Sequence, residues 1–176
     1  MSETLRTWDQ IIASLADNET GEIGAQDIKD ALFSMQQCWS VMARRNTSAQ
    51  TIPTNSDTKI EMNVGTDGEA MTGAFSNSND RITVPANGDG RYKIDFSCGF
   101  FTGTSNQGTL KLYVNGIQVL AFGNTPVAGT ADSQWVNIAG SQVVALTEGD
   151  YVELWADGPS GNYDVNEAQL FMTRIN

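Results

Sequence analysis

The chain contains no histidine. That absence removes the imidazole that acts as general base in Ser-His-Asp and Cys-His enzymes, and it removes the usual neutral zinc ligand. The two cysteines, Cys38 and Cys98, fall in unlike segments, so we expect two small buried hydrophobes rather than a disulfide. No nucleophile–base pair and no phosphate-binding glycine loop is visible. The sequence predicts a protein that is not an enzyme and that needs no cofactor.

Positive charge is scarce as well. Ten Lys and Arg stand against 21 Asp and Glu, which gives a net charge of −11. Without a basic patch, nucleic acid is an unsuitable partner. No apolar run approaches the roughly 20 residues that span a bilayer, and MSETLRTWDQ lacks the basic and apolar regions of a signal peptide. We expect a chain made in a cytoplasm that neither enters a membrane nor binds nucleic acid.

The acidic residues include one group that resembles a site. Asp150, Glu153, Asp157 and Asp164 lie close together in the last third of the sequence. Paired carboxylates can hydrolyse glycosides or bind calcium. These four fall in turns and on alternate strand positions, where solvated side chains are expected. We therefore expect neither a catalytic site nor a metal site.

The N-terminal part has helical periodicity. Apolar residues predict one helix over residues 2–16 and a second over residues 25–45. The second helix carries an apolar stripe with spacings of three and four, made of Ala25, Ile28, Leu32, Met35, Trp39 and Met42. Such a stripe is typical of a coiled coil, and Leu at one a position with Ile at one d position favours three or four strands. The alternative is that the stripe packs on the first helix or on the rest of the chain.

The remainder of the chain has the pattern of a β protein. From residue 59 onward, short apolar or alternating runs are separated by turn residues, and Asn115-Gly116 is a two-residue hairpin signal. The predicted strands cover residues 60–64, 70–75, 81–84, 92–101, 109–114, 117–122, 134–139, 141–146, 151–156 and 167–175. We predict a mainly β protein, with a helical anchor and stalk at residues 1–48 and a jelly-roll sandwich head at residues 49–176.

The order of motifs in the head is similar to that of a known superfamily. The motifs are ITVP at 82–85, GRY at 90–92, LYVNG at 112–116, LTEGDYVEL at 146–154 and LFMTRI at 170–175. Over residues 56–176 this resembles the jelly-roll head of the tumour necrosis factor and complement globular-head superfamily. The resemblance implies a homotrimer with an aromatic core on its axis, and the candidates for it are Tyr92, Phe96, Phe100, Tyr113, Tyr151 and Phe171. Ordinary packing inside one sandwich is the alternative for each.

A second resemblance concerns residues 11–35. A short helix, a polar loop and GEIGAQDIKDAL look like the N-terminal segment of bacteriophage virion fibres and appendages. It implies a non-enzymatic virion structural protein on the virion surface, a capsid-decorating or head-fibre homotrimer that binds other virion proteins through its N-terminal helices. One alternative is a tail or baseplate knob that contacts host surface glycans through loops at residues 103–108, 123–132 and 157–163. A cellular ligand of the tumour necrosis factor type is an alternative of another class.

Overall fold

The computed structural model describes residues 40–46, 48–62, 75–76, 79–102, 108–123, 134–158 and 163–175. The chain divides into two compact units, Met1–Cys38 and Trp39–Asn176. The first unit, with the helix predicted at residues 2–16 and the phage-like segment, lies outside the described residues. Five of the six stripe residues also lie outside them and remain predictions: Ala25, Ile28, Leu32, Met35 and Trp39.

The described residues form a mainly β structure, and no helix among them is long and apolar enough to cross a membrane. The strands are β1 (Ser40–Arg45), β2 (Gln50–Ile52), β3 (Thr58–Lys59), β4 (Phe75–Ser76), β5 (Arg81–Thr83), β6 (Gly90–Thr102), β7 (Thr109–Val114), β8 (Ile117–Gly123), β9 (Gln134–Leu146), β10 (Tyr151–Asp157) and β11 (Tyr163–Arg174).

The strands form two antiparallel sheets. The first sheet has the order β1-β11-β6-β9, and β2 also pairs with β11. The second sheet has the order β4-β5-β10-β7-β8, and β3 also pairs with β10. Strands that are neighbours in a sheet are mostly distant in the sequence, as in a jelly roll.

Alternation along each strand builds the core between the sheets. In β7 and β10, every second position carries an apolar side chain that faces the core, as in Leu110, Leu112, Val152 and Leu154, all with no exposed surface. The first sheet contributes residues such as Ile94 to the same hydrophobic cluster. Each large side chain buried in this way stabilises the fold by about 1.5–3 kcal/mol. The core thus fixes which side of each sheet faces outward.

Two glycines are required by geometry. Gly116 has φ of 75° beside Asn115 at 52°, the left-handed pair of a tight hairpin, which confirms the predicted turn between β7 and β8. Gly140 lies where a Cβ would come within 2.4 Å of the Phe122 ring and 2.7 Å of the Phe96 ring. The absence of a side chain there allows the two rings to pack between β8 and β9, with centroids 5.6 Å apart.

The helix predicted over residues 25–45 is wrong at its C-terminal end. Residues 40–45 form β1, which pairs with β11, so Met42 lies in the sheet opposite Phe171 and not on a coiled-coil seam. The sequence SVMARR fits both periods, and burial of Val41 and Ala43 on one side favours the strand. The head therefore includes residues before the boundary predicted at 48/49.

Arg45 holds this strand to its surroundings. Its side chain is only 4% exposed. The guanidinium donates hydrogen bonds to the backbone oxygens of Val165 at 3.3 Å, of Glu61 at 3.1 Å, and of Ser48. A buried guanidinium requires such acceptors. The residue that we expected at a helix terminus instead joins β1, β11 and two loops.

Other strand predictions were mostly confirmed with shifted ends. The strands predicted at residues 134–139 and 141–146 are one continuous strand, β9, and β11 begins earlier than predicted. Residues 60–62, the described part of the strand predicted at 60–64, lie outside the named strands. There the Ile60 amide donates to the Leu154 carbonyl at 2.9 Å.

Candidate functional site

The six aromatic residues predicted for a trimer core occupy three different places. Tyr92, Phe96 and Phe100 are at most 3% exposed and lie in the core of a single chain. Their burial favours the alternative of ordinary packing inside one sandwich, and a place for them on a subunit interface stays a prediction. Tyr113 and Tyr151 lie on the outer side of the second sheet, and Phe171 lies on the outer side of the first.

The outer side of the first sheet is called here the assembly face. Pairing places Met42 opposite Phe171, Phe171 opposite Asp95, and Asp95 opposite Ser141. These four residues form one row across β1, β11, β6 and β9, on the side opposite the core. The next row runs from Arg44 through Gln169 and Ser97 to Ala139. Apolar, small and polar side chains thus alternate across a broad surface.

Exposed apolar residues add to this face. Val143 is 41% exposed and lies opposite Lys93 on the neighbouring strand, and Ile175 is 48% exposed just after β11. The ion pair on this face is itself exposed, since Lys93 Nζ donates to Asp95 Oδ2 at 2.8 Å with both side chains at least 36% exposed. Burial acts to raise the pKa of Asp95, but hydrogen bonds from Lys93 and Ser141 lower it. Exposed pairs of this kind stabilise a fold weakly.

The outer side of the second sheet has a different character. Pairing places Trp155 of β10 between Lys59 of β3 and Lys111 of β7. Glu153, two positions earlier on the same side, is only 5% exposed. Its carboxylate accepts hydrogen bonds from Lys59 Nζ at 2.7 Å and from Trp155 Nε1 at 3.0 Å. A charged group on an outward position is therefore covered by its own neighbours.

A second set of contacts surrounds the same tryptophan. The rings of Tyr113 and Trp155 lie 5.1 Å apart with an interplanar angle of 36°. Tyr113 Oη donates to Asp57 Oδ2 at 2.9 Å, and the Lys111 ammonium donates to both Asp57 and Asp157. The residues Asp57, Lys59, Lys111, Tyr113, Glu153 and Trp155 are called the Trp155 cluster.

The ionisation of the cluster follows from these contacts. The hydrogen bond from Lys111, together with that from Tyr113, holds the pKa of Asp57 below its usual value although burial opposes this. Burial acts to lower the pKa of Lys111, but the hydrogen bonds and charges of Asp57 and Asp157 outweigh it and raise that pKa. Both groups are charged at neutral pH. The cluster is a set of neutralised ion pairs around aromatic rings.

The four carboxylates singled out in the sequence do not form one site. Asp150 lies in a turn, where it accepts hydrogen bonds from Thr147 and Asn115. Glu153 and Asp157 contact different lysines, and Asp164 lies on the first sheet, where Thr51 Oγ1 donates to it at 2.7 Å. In the part of the chain that the structure describes, no group of three or more Cys, Asp or Glu residues could hold a metal ion.

Sequence reasoning missed the Trp155 cluster as a unit. Asp57 and Lys59 lie before the first predicted strand, at residues 60–64, and Trp155 lies within the strand predicted at residues 151–156. The alternation of Tyr151, Glu153 and Trp155 with buried Val152 and Leu154 is the signal that places the tryptophan outward. The partners on β3 and β7 could not be found from that signal, since they depend on long-range pairing.

Two solved structures share the fold of the head. "Eiger TNF from S. frugiperda" superposes with a TM-score of 0.61 and 8% sequence identity, covering 80% of this chain and 94% of that chain. The globular domain of zebrafish complement 1qA protein superposes with a TM-score of 0.56 and 16% identity, covering 80% and 98%. No protein-family model and no curated protein sequence matches the chain. The resemblance seen in the sequence motifs is thereby confirmed at the level of the fold, and the head is similar to these proteins as a TNF-like jelly-roll sandwich of two antiparallel sheets.

Proposed function

We propose that this chain is a non-enzymatic structural protein whose heads assemble into a homotrimer through the assembly face. The observation that carries the proposal is the row of Met42, Phe171, Asp95 and Ser141 across the outer side of the first sheet. Phe171, the one member of the predicted aromatic set on this side, lies in the middle of that row. Aromatic residues and methionine, such as Phe171 and Met42, are enriched at the centres of subunit interfaces.

Small residues on β9 support the same assignment. The outward positions along β9 are occupied in order by Ala139, Ser141, Val143 and Ala145. All of these except Val143 have short side chains. Short side chains allow a neighbouring subunit to approach the strand closely. A contact between β9 of one subunit and the Met42–Phe171 side of the next is heterologous, and a rotation of one third of a turn closes it into a ring.

We further propose that the trimer is a bacteriophage virion appendage. The support is the likeness of residues 11–35 to phage fibre N-termini, together with the acidic composition, which suits a surface protein that must not adhere to nucleic acid. In this role the N-terminal segment binds other virion proteins, and the heads project from the particle. We propose a capsid-decorating or head-fibre position for the trimer.

A pair of matched variants tests the assembly proposal. Phe171→Glu places a charge in the middle of the assembly face, and we expect sedimentation velocity to show monomers at micromolar concentration. Ile117→Glu changes an apolar residue that is 70% exposed on the second sheet, and we expect it to sediment like the wild type. If Phe171→Glu leaves the sedimentation coefficient unchanged while the protein stays folded by circular dichroism, the interface lies elsewhere.

The virion role is tested separately. Antibodies against the head, labelled with gold, are expected to mark the capsid of intact phage particles in electron micrographs. Labelling of the tail tip alone would favour the receptor-binding alternative, and absence from purified particles would refute a virion role.

A further inference from the structure

The side chains of the Trp155 cluster hold one another in one arrangement. Trp155 is held by the hydrogen bond from Nε1 to Glu153, by the Tyr113 ring, and by the Lys59 ammonium 5.9 Å from its ring centroid. Ion pairs that are largely removed from water add little net stability, since desolvation offsets their attraction. Yet the ring remains partly exposed on an outward strand position. Its fixed orientation therefore suits contact with something outside the chain.

The charges around the ring decide the class of ligand. Lys59 is paired with Glu153, and Lys111 is paired with Asp57 and Asp157. Each of the two ammoniums already has a carboxylate partner, so an anionic ligand must compete with that partner. The three carboxylates exceed the two ammoniums by one negative charge, which disfavours an anionic ligand further. The net charge of −11 further disfavours polyanions such as nucleic acid or sulfated polymers.

Hydroxyl groups match the cluster better than charges do. A hydroxyl both donates and accepts, so it can bridge an ammonium and a carboxylate that stand side by side. An ammonium carries three N–H donors, and the described residues accept two from Lys59, namely Asn79 O at 2.9 Å and Glu153 Oε1. Asp57, with its side chain 39% exposed, presents carboxylate oxygens to solvent beside Tyr113.

We propose that the Trp155 cluster is a binding site for a neutral pyranose unit of a glycan. The C–H face of the sugar ring packs on the exposed part of Trp155 and Tyr113, and its hydroxyls bond to Lys59 and Asp57. The aromatic contact supplies apolar burial, and the neighbouring polar groups supply orientation. Because the side chains are already held by one another, little rotamer entropy is lost on binding. The site lies on the second sheet and does not depend on the assembly of the heads.

Saturation-transfer NMR on the full chain, with methyl glycosides of glucose, galactose and mannose as probes, tests the site. We expect at least one probe to bind with a dissociation constant of about 1 mM, typical of one small sugar on an open surface. Trp155→Ala should weaken that binding by about tenfold, the equivalent of one lost aromatic contact. Tyr151→Ala, which removes another outward aromatic residue of β10, should change it less than about twofold.

The folded state of each variant is verified by far-ultraviolet circular dichroism. Should Trp155→Ala fail to fold, Lys59→Met provides the second variant, because it removes a donor and retains the alkyl stem. Lack of saturation transfer from any of the three neutral glycosides would overturn the proposal. So would binding that survives both Trp155→Ala and Lys59→Met, or binding confined to the charged analogues glucuronic acid and glucosamine. None of these results depends on whether the wild type is a trimer.

Discussion

Both sheets of the sandwich alternate inward and outward residues, but their outer sides differ in how far the charged side chains are exposed to solvent. On the second sheet, the outward charges of the Trp155 cluster are covered by one another, so that Glu153 is 5% exposed. On the first sheet, the assembly face leaves apolar residues such as Val143 at 41% exposure, and its ion pair of Lys93 and Asp95 stays in solvent. The charged cluster of the second sheet is covered by side chains of the same chain, whereas the first sheet carries the face through which we propose that a second chain binds.

This difference predicts unequal effects of removing one carboxylate from each side. Glu153→Ala should lower the free energy of unfolding by about 1–3 kcal/mol, because Lys59 and the Trp155 N–H lose their shared, largely buried acceptor. Urea unfolding followed by circular dichroism measures the change. If the free energy of unfolding falls by less than about 0.5 kcal/mol, water replaces the Glu153 carboxylate as acceptor without cost. The side chains of the Trp155 cluster would then not be shielded from solvent.

Acid should weaken the second sheet through the other half of the cluster. The pKa of Asp57 is lower in the folded chain than its ordinary value of 3.8. At a pH between these two pKa values, Asp57 therefore binds fewer protons in the folded state than in the unfolded state. The stabilisation is present above pH 3.8 and is lost as the pH falls through the lowered folded pKa. At pH 7 we expect the free energy of unfolding of the wild type to exceed that of Asp57→Asn by up to about 1 kcal/mol. The difference is small because the Asp57–Lys111 pair is partly exposed.

The measurement is urea unfolding of both proteins at several pH values between neutrality and the acid limit. The difference between wild type and Asp57→Asn should shrink only on the acid side. A difference that is constant with pH would show that the contact of Asp57 with Lys111 does not depend on its charge.

The smallest effect belongs to the exposed pair on the assembly face. Asp95→Ala should change the free energy of unfolding of the monomer by less than about 0.5 kcal/mol, because both partners are already solvated. The change is measured in the Phe171→Glu background, which we expect to be monomeric. If Asp95→Ala lowers the free energy of unfolding as much as Glu153→Ala does, the ion pairs on the two outer sides do not differ in their contribution to stability.

How far the sequence determines these results varies from element to element. The hairpin at Asn115-Gly116 was predictable, because the left-handed conformation is a local property of those two residues. The strands around it follow from alternation and were largely confirmed. β1 was mistaken for a helix because the six residues SVMARR suit either period, and only the pairing with β11 decides between them.

The two outer sides were less predictable than the core. Tyr92, Phe96 and Phe100 are aromatic residues like Phe171, and what separates them is the side of the sheet on which they lie. The Trp155 cluster joins residues from three segments far apart in the sequence, so its existence depends on the register of β3 and β7 against β10. Pattern alone contains no information about that register.

The most direct test of the central claim is the molar mass of the full chain in solution. Light scattering during size-exclusion chromatography at micromolar concentration should give three times the 19.0 kDa of one chain. A single peak at 19.0 kDa would contradict the account, because the assembly face would then be complete without a partner.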